Sequence, residues 1–384
     1  MTGRPRVLLT VGADTTRDDA SGPRRDYALV AALLGADVLD RRDVERSRTA
    51  RLIAAIAGLP VAQALLAFAR RHRYDCVVTD GEHVGIPLAL LLRCGRAKTR
   101  HITIGHRLST PKKRRFFRLL RAQERIDRIA LHSQHQHDIA VTDLGIEPNR
   151  LALLPYQVDT RFWTPQLVAE ERLIVSAGLE HRDYATLFRA VDGLRAQVVI
   201  GAASHWSRHG VGSATPPPNV RIGTFDYLSL RDLYARASIV VVPLTDVDNQ
   251  AGVTTILEGM AMGKPVIVTQ SLGQTDVVED RRSTARDRAR PRQVSLARRL
   301  AHEAGIAVEP NGFYVAPHDA DGLRRAITYL LDHPDERARL GHAGRQLAEQ
   351  LFTVDQFAER IRSLVYSCIE VQPDALFPRR LSSG

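Results

Sequence analysis

The sequence predicts an α/β protein built from two doubly wound, Rossmann-like domains that face each other across a cleft. Three observations carry this. Unbroken runs of β-branched and aliphatic residues recur between segments of helical spacing, as parallel strands buried on both faces require. The runs fall into two series with a pause at DTRFWTP, 159–165. The 384 residues suffice for two or three domains at ~100–200 residues each.

In chain order, the first strand is RVLLTV (6–11), followed by the loop GADTTRDDASGP, a helix through Asp26 to Leu34, and the short strand ADVLD. DCVVT (75–79) leads into DGEH and the apolar helix VGIPLALLLRC. HITIG (101–105) and RIALHS (128–133) flank a basic segment. That segment, 112–128, is expected to form one amphipathic helix with Phe116, Leu119, Leu120 and Ile126 on a shared side. After the pause come RLIVSAG, QVVIGA, NVRIG, IVVVPL and PVIVT, then a short strand at Gly312 to Val315. Helices close the chain at 321–331, 335–350 and 353–366. Two βαβ series imply two domains with a crevice at their strand ends.

Composition narrows the function. The chain is 44% hydrophobic and 25% charged, ordinary for a folded soluble protein. No apolar run approaches the ~18 residues of a membrane-spanning helix, and the N-terminus lacks the pattern of a secretory leader. Three dispersed cysteines suggest neither a disulfide framework nor a Cys-based metal site. A reduced, cytoplasmic protein is expected, with a peripheral contact at the inner membrane face left open. The net charge is +11, yet residues 112–128 carry +6 and residues 281–300 carry +7. The charge is therefore confined to two segments. Only Phe116 and Phe117 are aromatic in either one, so the stacking platforms of a nucleic-acid binder are scarce. Nucleic acid is not an expected partner.

The most informative stretch is DVDNQAGVTTILEGMAMGKPVIVT, 246–269. A strand meets a polar loop with Gly252, and a helix opens near Thr254. Free N–H groups and the positive end of the dipole suit such a start to phosphate. Glu258 falls four residues after Thr254, on a helical face pointing back toward that site. A carboxylate there can accept both hydroxyls of a ribose.

LEGMAMGKPVIVT resembles the second half of the Glu-x7-Glu motif of the retaining family 4 glycosyltransferases. Further segments follow in that family's order: LGIEPNRLALLPYQVDTRFWTP, SAGLEHRDYATLFRAV, NVRIGTFDYLSLRDLYARASIVVVPL, NGFYVAPHDADGLRRAI and LFTVDQFAERI. The likeness covers about residues 128–362, and the first 127 fit as a generic Rossmann half.

The resemblance implies the GT-B arrangement, with residues 1–166 binding an acceptor and residues 167–351 binding a nucleotide sugar. Residues 352–384 are then a helix and tail that cross back to the N-terminal domain. It also implies transfer of a sugar from a nucleotide-diphosphate sugar to an acceptor hydroxyl, with retention and without metal. The nucleotide sugar is the co-substrate, and no further cofactor is expected. The acceptor is a small molecule, a lipid-linked molecule or a glycan.

The carried-over donor site comprises Gly12, Gly178, Arg182, Asn249, Gln250, Gly252, Val253, Thr254 and Glu258. Glu258 is placed on the ribose, and Arg182 with the backbone of Gly252 to Thr254 on the diphosphate. Asn249 and Gln250 face the sugar, and His106 faces the reacting carbon. The catalytic set is His106, Arg182 and Gln250.

Two departures stand out. Gln250 occupies the place of the motif's first glutamate, which leaves a non-catalytic sugar-nucleotide-binding partner of an active transferase as one alternative, beside a basic nucleic-acid-binding protein. An arginine-rich insertion separates Asp280 from Asn311. His83, after strand DCVVT, is a second histidine at a strand end. His132, His135 and His137 do not share one helical face, so they make a poor metal site, and Ser133 reads as a helix N-cap. GADTTRDDASG is not the GxGxxG fingerprint, which disfavours NAD and FAD.

Overall fold

The computed structural model describes residues 4–15, 21–95, 98–202, 214–280 and 294–370. In the N-terminal half, β1 (Val7–Thr10), α1 (Asp26–Leu34) and β2 (Asp37–Leu39) are followed by α2 (Arg41–Arg46), α3 (Arg48–Ala57) and α4 (Leu59–Arg70). Then come β3 (Cys76–Asp80), α5 (Glu82–Arg93), β4 (Arg100–Gly105), α6 (Pro111–Arg118), β5 (Arg128–Leu131), α7 (Gln134–Thr142) and β6 (Leu151–Leu153). These strands form a parallel sheet in the order β2-β1-β3-β4-β5-β6.

The second half holds β7 (Leu173–Ala177), α8 (Tyr184–Val191), β8 (Gln197–Gly201), β9 (Val220–Gly223), α9 (Tyr227–Arg236) and β10 (Ile239–Val242). It continues with α10 (Val253–Ala261), β11 (Val266–Thr269), α11 (Leu296–Ala304), β12 (Gly312–Val315), α12 (Ala320–Asp332), α13 (Pro334–Leu351) and α14 (Val354–Glu370). Its parallel sheet runs β12-β11-β10-β7-β8-β9. Every residue of β7, β10 and β11 is buried, which explains their unbroken aliphatic runs. The two facing doubly wound domains are as the sequence predicts.

In each sheet the order in which strands are added reverses at one place, between β1 and β3 and between β7 and β10. Crevices open beyond the strand ends at such switch points. Gly12 and His83 follow β1 and β3; Gly178 and Gly252 follow β7 and β10.

The final helix returns to the first domain. Phe357, Ala358, Ile361, Val365 and Cys368 of α14 share a core with Val7, Leu9, Val30 and Leu34. The two crossings of the chain run side by side: Val158 N–H donates to Phe352 O at 2.7 Å and Val354 N–H to Val158 O at 3.1 Å. Arg24 clamps them, donating to Asp159 at 2.7 Å and Asp355 at 2.9 Å.

Three elements differ from expectation. The basic segment is not one helix. Only Pro111–Arg118 is α-helical, and the chain turns through Arg121 at φ 48° before a short 3-10 turn and β5. Helical spacing therefore stops at Leu119. Phe117 and Ile126 enter the core, whereas Leu119 and Leu120 are 75% and 45% exposed. Residues 41–70, where no element was expected, hold three helices, of which α2 and α3 are capped by Asp40 and Ser47. The insertion ends in α11, whose Leu296, Ala297 and Ala301 are buried; residues 281–293 of the arginine-rich segment, like tail residues 371–384, lie outside the described residues.

Candidate functional site

On the C-terminal side, the loop after β7 lies along the loop after β10. Arg182 and Leu244 form an isolated antiparallel bridge, Asp183 N–H donates to Pro243 O at 3.0 Å, and Thr245 N–H to His181 O at 3.0 Å. This register lays the Arg182 side chain across both loops. Its guanidinium donates to Ala177 O at 2.9 Å, Glu180 O at 2.9 Å and Thr255 Oγ1 at 3.2 Å. Asp183 is not its partner; that carboxylate caps α8 through Thr186 N–H and meets His318.

Both flanking glycines are required. Gly178 has φ 89°, and a Cβ there would come 2.6 Å from Arg182 Nη2. Gly252, the N-cap of α10, has φ 77°, and a Cβ would come 2.6 Å from Val242 Cγ1 and 3.3 Å from Arg182 Nη1. One guanidinium thus lies beside a helix start whose first N–H groups have no intrahelical acceptor.

Glu258 lies on the same helix, 8% exposed. Its Oε2 accepts from Tyr234 O–H at 3.0 Å. Burial pushes its pKa up to about 7, against the opposing pull of the Tyr234 hydrogen bond and the Arg182 charge. Burial likewise pulls the Arg182 pKa down. Thr254 is exposed, whereas Val253 and Thr255 are buried, so within this turn only the Thr255 hydroxyl reaches Arg182.

Asn249 and Gln250 stand apart from this cluster. Gln250 Nε2 donates to Asp276 Oδ2 at 2.9 Å. The side-chain oxygens of Asn249, Gln250 and Gln274 are buried without hydrogen-bond partners. These are acceptors only, a lining suited to a ligand that brings hydroxyls.

On the N-terminal side, His106 follows β4. Its Nδ1 meets Tyr156 O–H at 3.2 Å, and its Nε2 lies 3.7 Å from Asp80 Oδ1. Burial lowers the imidazole pKa, but the Asp80 and Glu82 carboxylates outweigh it and the net shift is upward. Glu82 holds the turn: it accepts from His106 N–H at 2.9 Å and Arg107 N–H at 3.3 Å, and pairs with Lys113. The His132 ring stacks on Tyr156 at 4.0 Å and lies 4.9 Å from His106. Burial pushes its pKa down to about 3. His83 lies beside Gly12, whose Cβ position would be 3.9 Å from His83 Nε2.

Several contacts join the two sides. Arg107 pairs with Asp248 at 2.6 Å, Gln136 Nε2 donates to Asp248 O at 2.8 Å, and the Gln134 N–H donates to Asp276 at 3.0 Å. The structure therefore joins Gly178, Arg182, Gly252, Val253 and Glu258 in one cluster. It sets His106 on the opposite wall, with Gly12 and His83 beside each other at neighbouring strand ends of that wall. Sequence reasoning missed Asp80, Glu82, Tyr156, Tyr234, Thr255 and Asp276. Asp80 and Glu82 belong to the DGEH segment, at a strand end where site residues gather, and only their histidine neighbour was singled out. Among the described residues no three His, Cys, Asp or Glu side chains are arranged to hold a metal ion.

Comparison with known proteins fits this geometry. Residues 173–333 match the family model described as Glycosyl transferases group 1. No curated protein sequence matches the chain. A glycosyltransferase from Rickettsia africae superposes with TM-score 0.65 at 13% identity, covering 96% of this chain and 100% of that one. HepE of Anabaena, solved with UDP-glucose, gives TM-score 0.65 at 15% identity over 94% and 100% of the two chains. Sucrose-phosphate synthase of Thermosynechococcus elongatus gives 0.65 at 16% identity over 95% and 99%. The C-terminal domain thus carries the sequence pattern of group 1 glycosyl transferases, and the whole chain has the two-domain GT-B fold of solved glycosyltransferases.

Proposed function

We propose that the protein transfers a sugar from a nucleotide-diphosphate sugar to an acceptor hydroxyl, with retention and without a metal ion. The observation that carries this reading is the Arg182 guanidinium beside the start of α10, with the buried Glu258 carboxylate on the same helix. The group 1 match over this domain and the UDP-glucose complex of HepE support it.

In this reading Arg182 and the N–H groups of Gly252 to Thr254 hold the diphosphate. A guanidinium grips two oxygens at once and offsets the charge that grows on the leaving group. Glu258 accepts the ribose hydroxyls while Tyr234 fixes its other oxygen. Asn249 and Gln250 meet hydroxyls of the sugar. The bond from the anomeric carbon to the diphosphate oxygen breaks, the acceptor oxygen bonds that carbon from the same face, and the acceptor proton passes to the departing diphosphate. His106, held between Asp80 and Tyr156, lines the acceptor side. The acceptor is a small molecule, a lipid-linked molecule or a glycan.

No helix among the described residues is long and apolar enough to cross a membrane. On this reading the enzyme works in the cytoplasm. The exposed Leu119 and Leu120, flanked by Lys112, Arg115 and Arg118, form its contact with anionic lipid at the inner membrane face.

A thermal-shift panel of UDP, GDP, ADP and TDP tests the reading. A nucleotide at ~100 times its dissociation constant adds ~2.7 kcal/mol of stability, so one member should raise Tm by several degrees. No shift with any of them at millimolar concentration, and no release of nucleoside diphosphate from any sugar nucleotide, would overturn it.

A further inference from the structure

Gln250 and Asp276 are packed together at the seam between the domains, 7% and 2% exposed. The Asp276 carboxylate gathers three N–H donors. Its Oδ2 accepts from the Gln134 backbone at 3.0 Å and from Gln250 Nε2 at 2.9 Å, and its Oδ1 from the Leu296 backbone at 3.3 Å. Gln134 and Leu296 are the first residues of α7 and α11. Two helix N-termini therefore end on one carboxylate, and both favour negative charge there.

A carboxylate that already accepts two backbone N–H groups is an acceptor, so Gln250 must present its amide nitrogen to it. That leaves Oε1, which is buried and has no partner. The remaining oxygen can only accept a hydrogen bond. A glutamate at position 250 would set two carboxylates across the 2.9 Å that now separates Nε2 from Oδ2. Like charges so close do not both ionise.

We infer that Asp276 is a positioning residue: it carries the anionic charge of this corner, turns the Gln250 amide so that Oε1 alone is offered to a donor-sugar hydroxyl, and ties that orientation to domain contact through Gln134. The identity of the hydroxyl rests on the sugar-transfer reading; the pairing of the two side chains does not.

Other charged and titratable groups surround the pair. His135 faces Asp276 from α7, and Tyr314 from β12. Glu279 is paired with Arg298 of α11, Arg299 donates to Gln134 Oε1, and Asp248 is paired with Arg107. All of these remain in place in the variants below, so they act alike on each.

The test compares wild type, Gln250→Glu and Gln250→Glu/Asp276→Asn by Tm and by kcat/KM from pH 5 to pH 8. In Gln250→Glu the two carboxyls share a proton at pH 5, and stability should match wild type. As pH rises the shared proton is lost, stability falls, and kcat/KM should drop at least tenfold by pH 8. The double variant restores one carboxylate and one amide, so both measures should run parallel to wild type across the range. A constant offset is expected, because an amide at position 276 has one acceptor oxygen where the carboxylate has two, and one of the backbone N–H groups loses its partner. Gln250→Glu with the wild-type Tm profile would overturn the pairing. A changed Tm profile with unchanged kcat/KM would reduce it to a structural contact and overturn the positioning role. A wild type that turns over no sugar nucleotide would overturn that role along with the sugar-transfer reading, while the Tm profiles still report the pair.

Discussion

Replacing Glu258 with glutamine should make the ligand-free protein more stable at alkaline pH and bind nucleotide more weakly. The carboxylate is held at a pKa of about 7, raised by burial from an ordinary 4.5. An acid whose folded-state pKa is raised contributes most below its unfolded value, and that contribution is lost as pH rises through the folded one. At ~1.4 kcal/mol per pH unit, the 4.5-to-7 gap makes ionised Glu258 cost the folded state about 3 kcal/mol above pH 7. Glutamine removes the charge, keeps the shape, and can still accept from Tyr234. Calorimetry should therefore show Glu258→Gln level with wild type near pH 4.5 and several degrees more stable at pH 8. Nucleotide binding should move the other way, since hydrogen bonds to a charged group contribute ~1.5–3 kcal/mol each. Titration calorimetry at pH 8 should show at least tenfold weaker binding of the nucleoside diphosphate. A variant that is less stable at pH 8, or that binds every nucleotide as tightly as wild type, would refute this assignment of Glu258.

Three further outcomes are expected. Gly252→Ala places a Cβ at φ 77° and 2.6 Å from Val242 Cγ1; left-handed strain and overpacking together should cost roughly 2–4 kcal/mol, read as a fall in Tm. Arg182→Lys keeps the charge but loses the planar fork, so nucleoside diphosphate affinity should fall by about tenfold or more, equal to ~1.4 kcal/mol; an unchanged dissociation constant would rule out the diphosphate role. Leu119→Asp with Leu120→Asp, at exposed positions, should leave Tm within ~0.5 kcal/mol equivalent of wild type while abolishing flotation with anionic liposomes. Wild type that floats equally with neutral and anionic vesicles, or not at all, would remove the membrane contact.

The parts legible in the sequence were those written locally. Strands β7, β10 and β11 are buried throughout, so their aliphatic runs could be read without knowing what covers them. Gly252 is the N-cap of the helix that carries Glu258, so their spacing could be counted along the chain. Arg182 was reachable by the same local route, but its actual partners, Ala177 O and Thr255 Oγ1, lie across a loop-to-loop register that periodicity does not encode. The same holds for Asp276, which meets Gln134 from 142 residues away. Hydrophobic spacing misled at 112–128: it treats the chain as one helix, whereas the backbone turns at Arg121 and sends Leu119 and Leu120 into solvent.

The division of charge across the cleft has a consequence for how a donor lies in it. The chain carries +11 overall, yet the wall around His106 is acidic. Asp26 is pushed by burial and by Asp80 to a pKa of about 6. Asp80 lies against the His106 imidazole. The Glu82 charge is met by Lys113. Across the cleft, Arg182 lies at the start of α10, whose dipole adds partial positive charge. A nucleotide sugar carries its negative charge in the diphosphate and none in a neutral hexose. On the sugar-transfer reading proposed above, the Arg182 side attracts the diphosphate and the Asp26–Asp80 side repels it, so the neutral sugar would be turned toward His106. Net charge by itself is thus the least informative feature of the chain, and its placement across two strand-end loops the most informative.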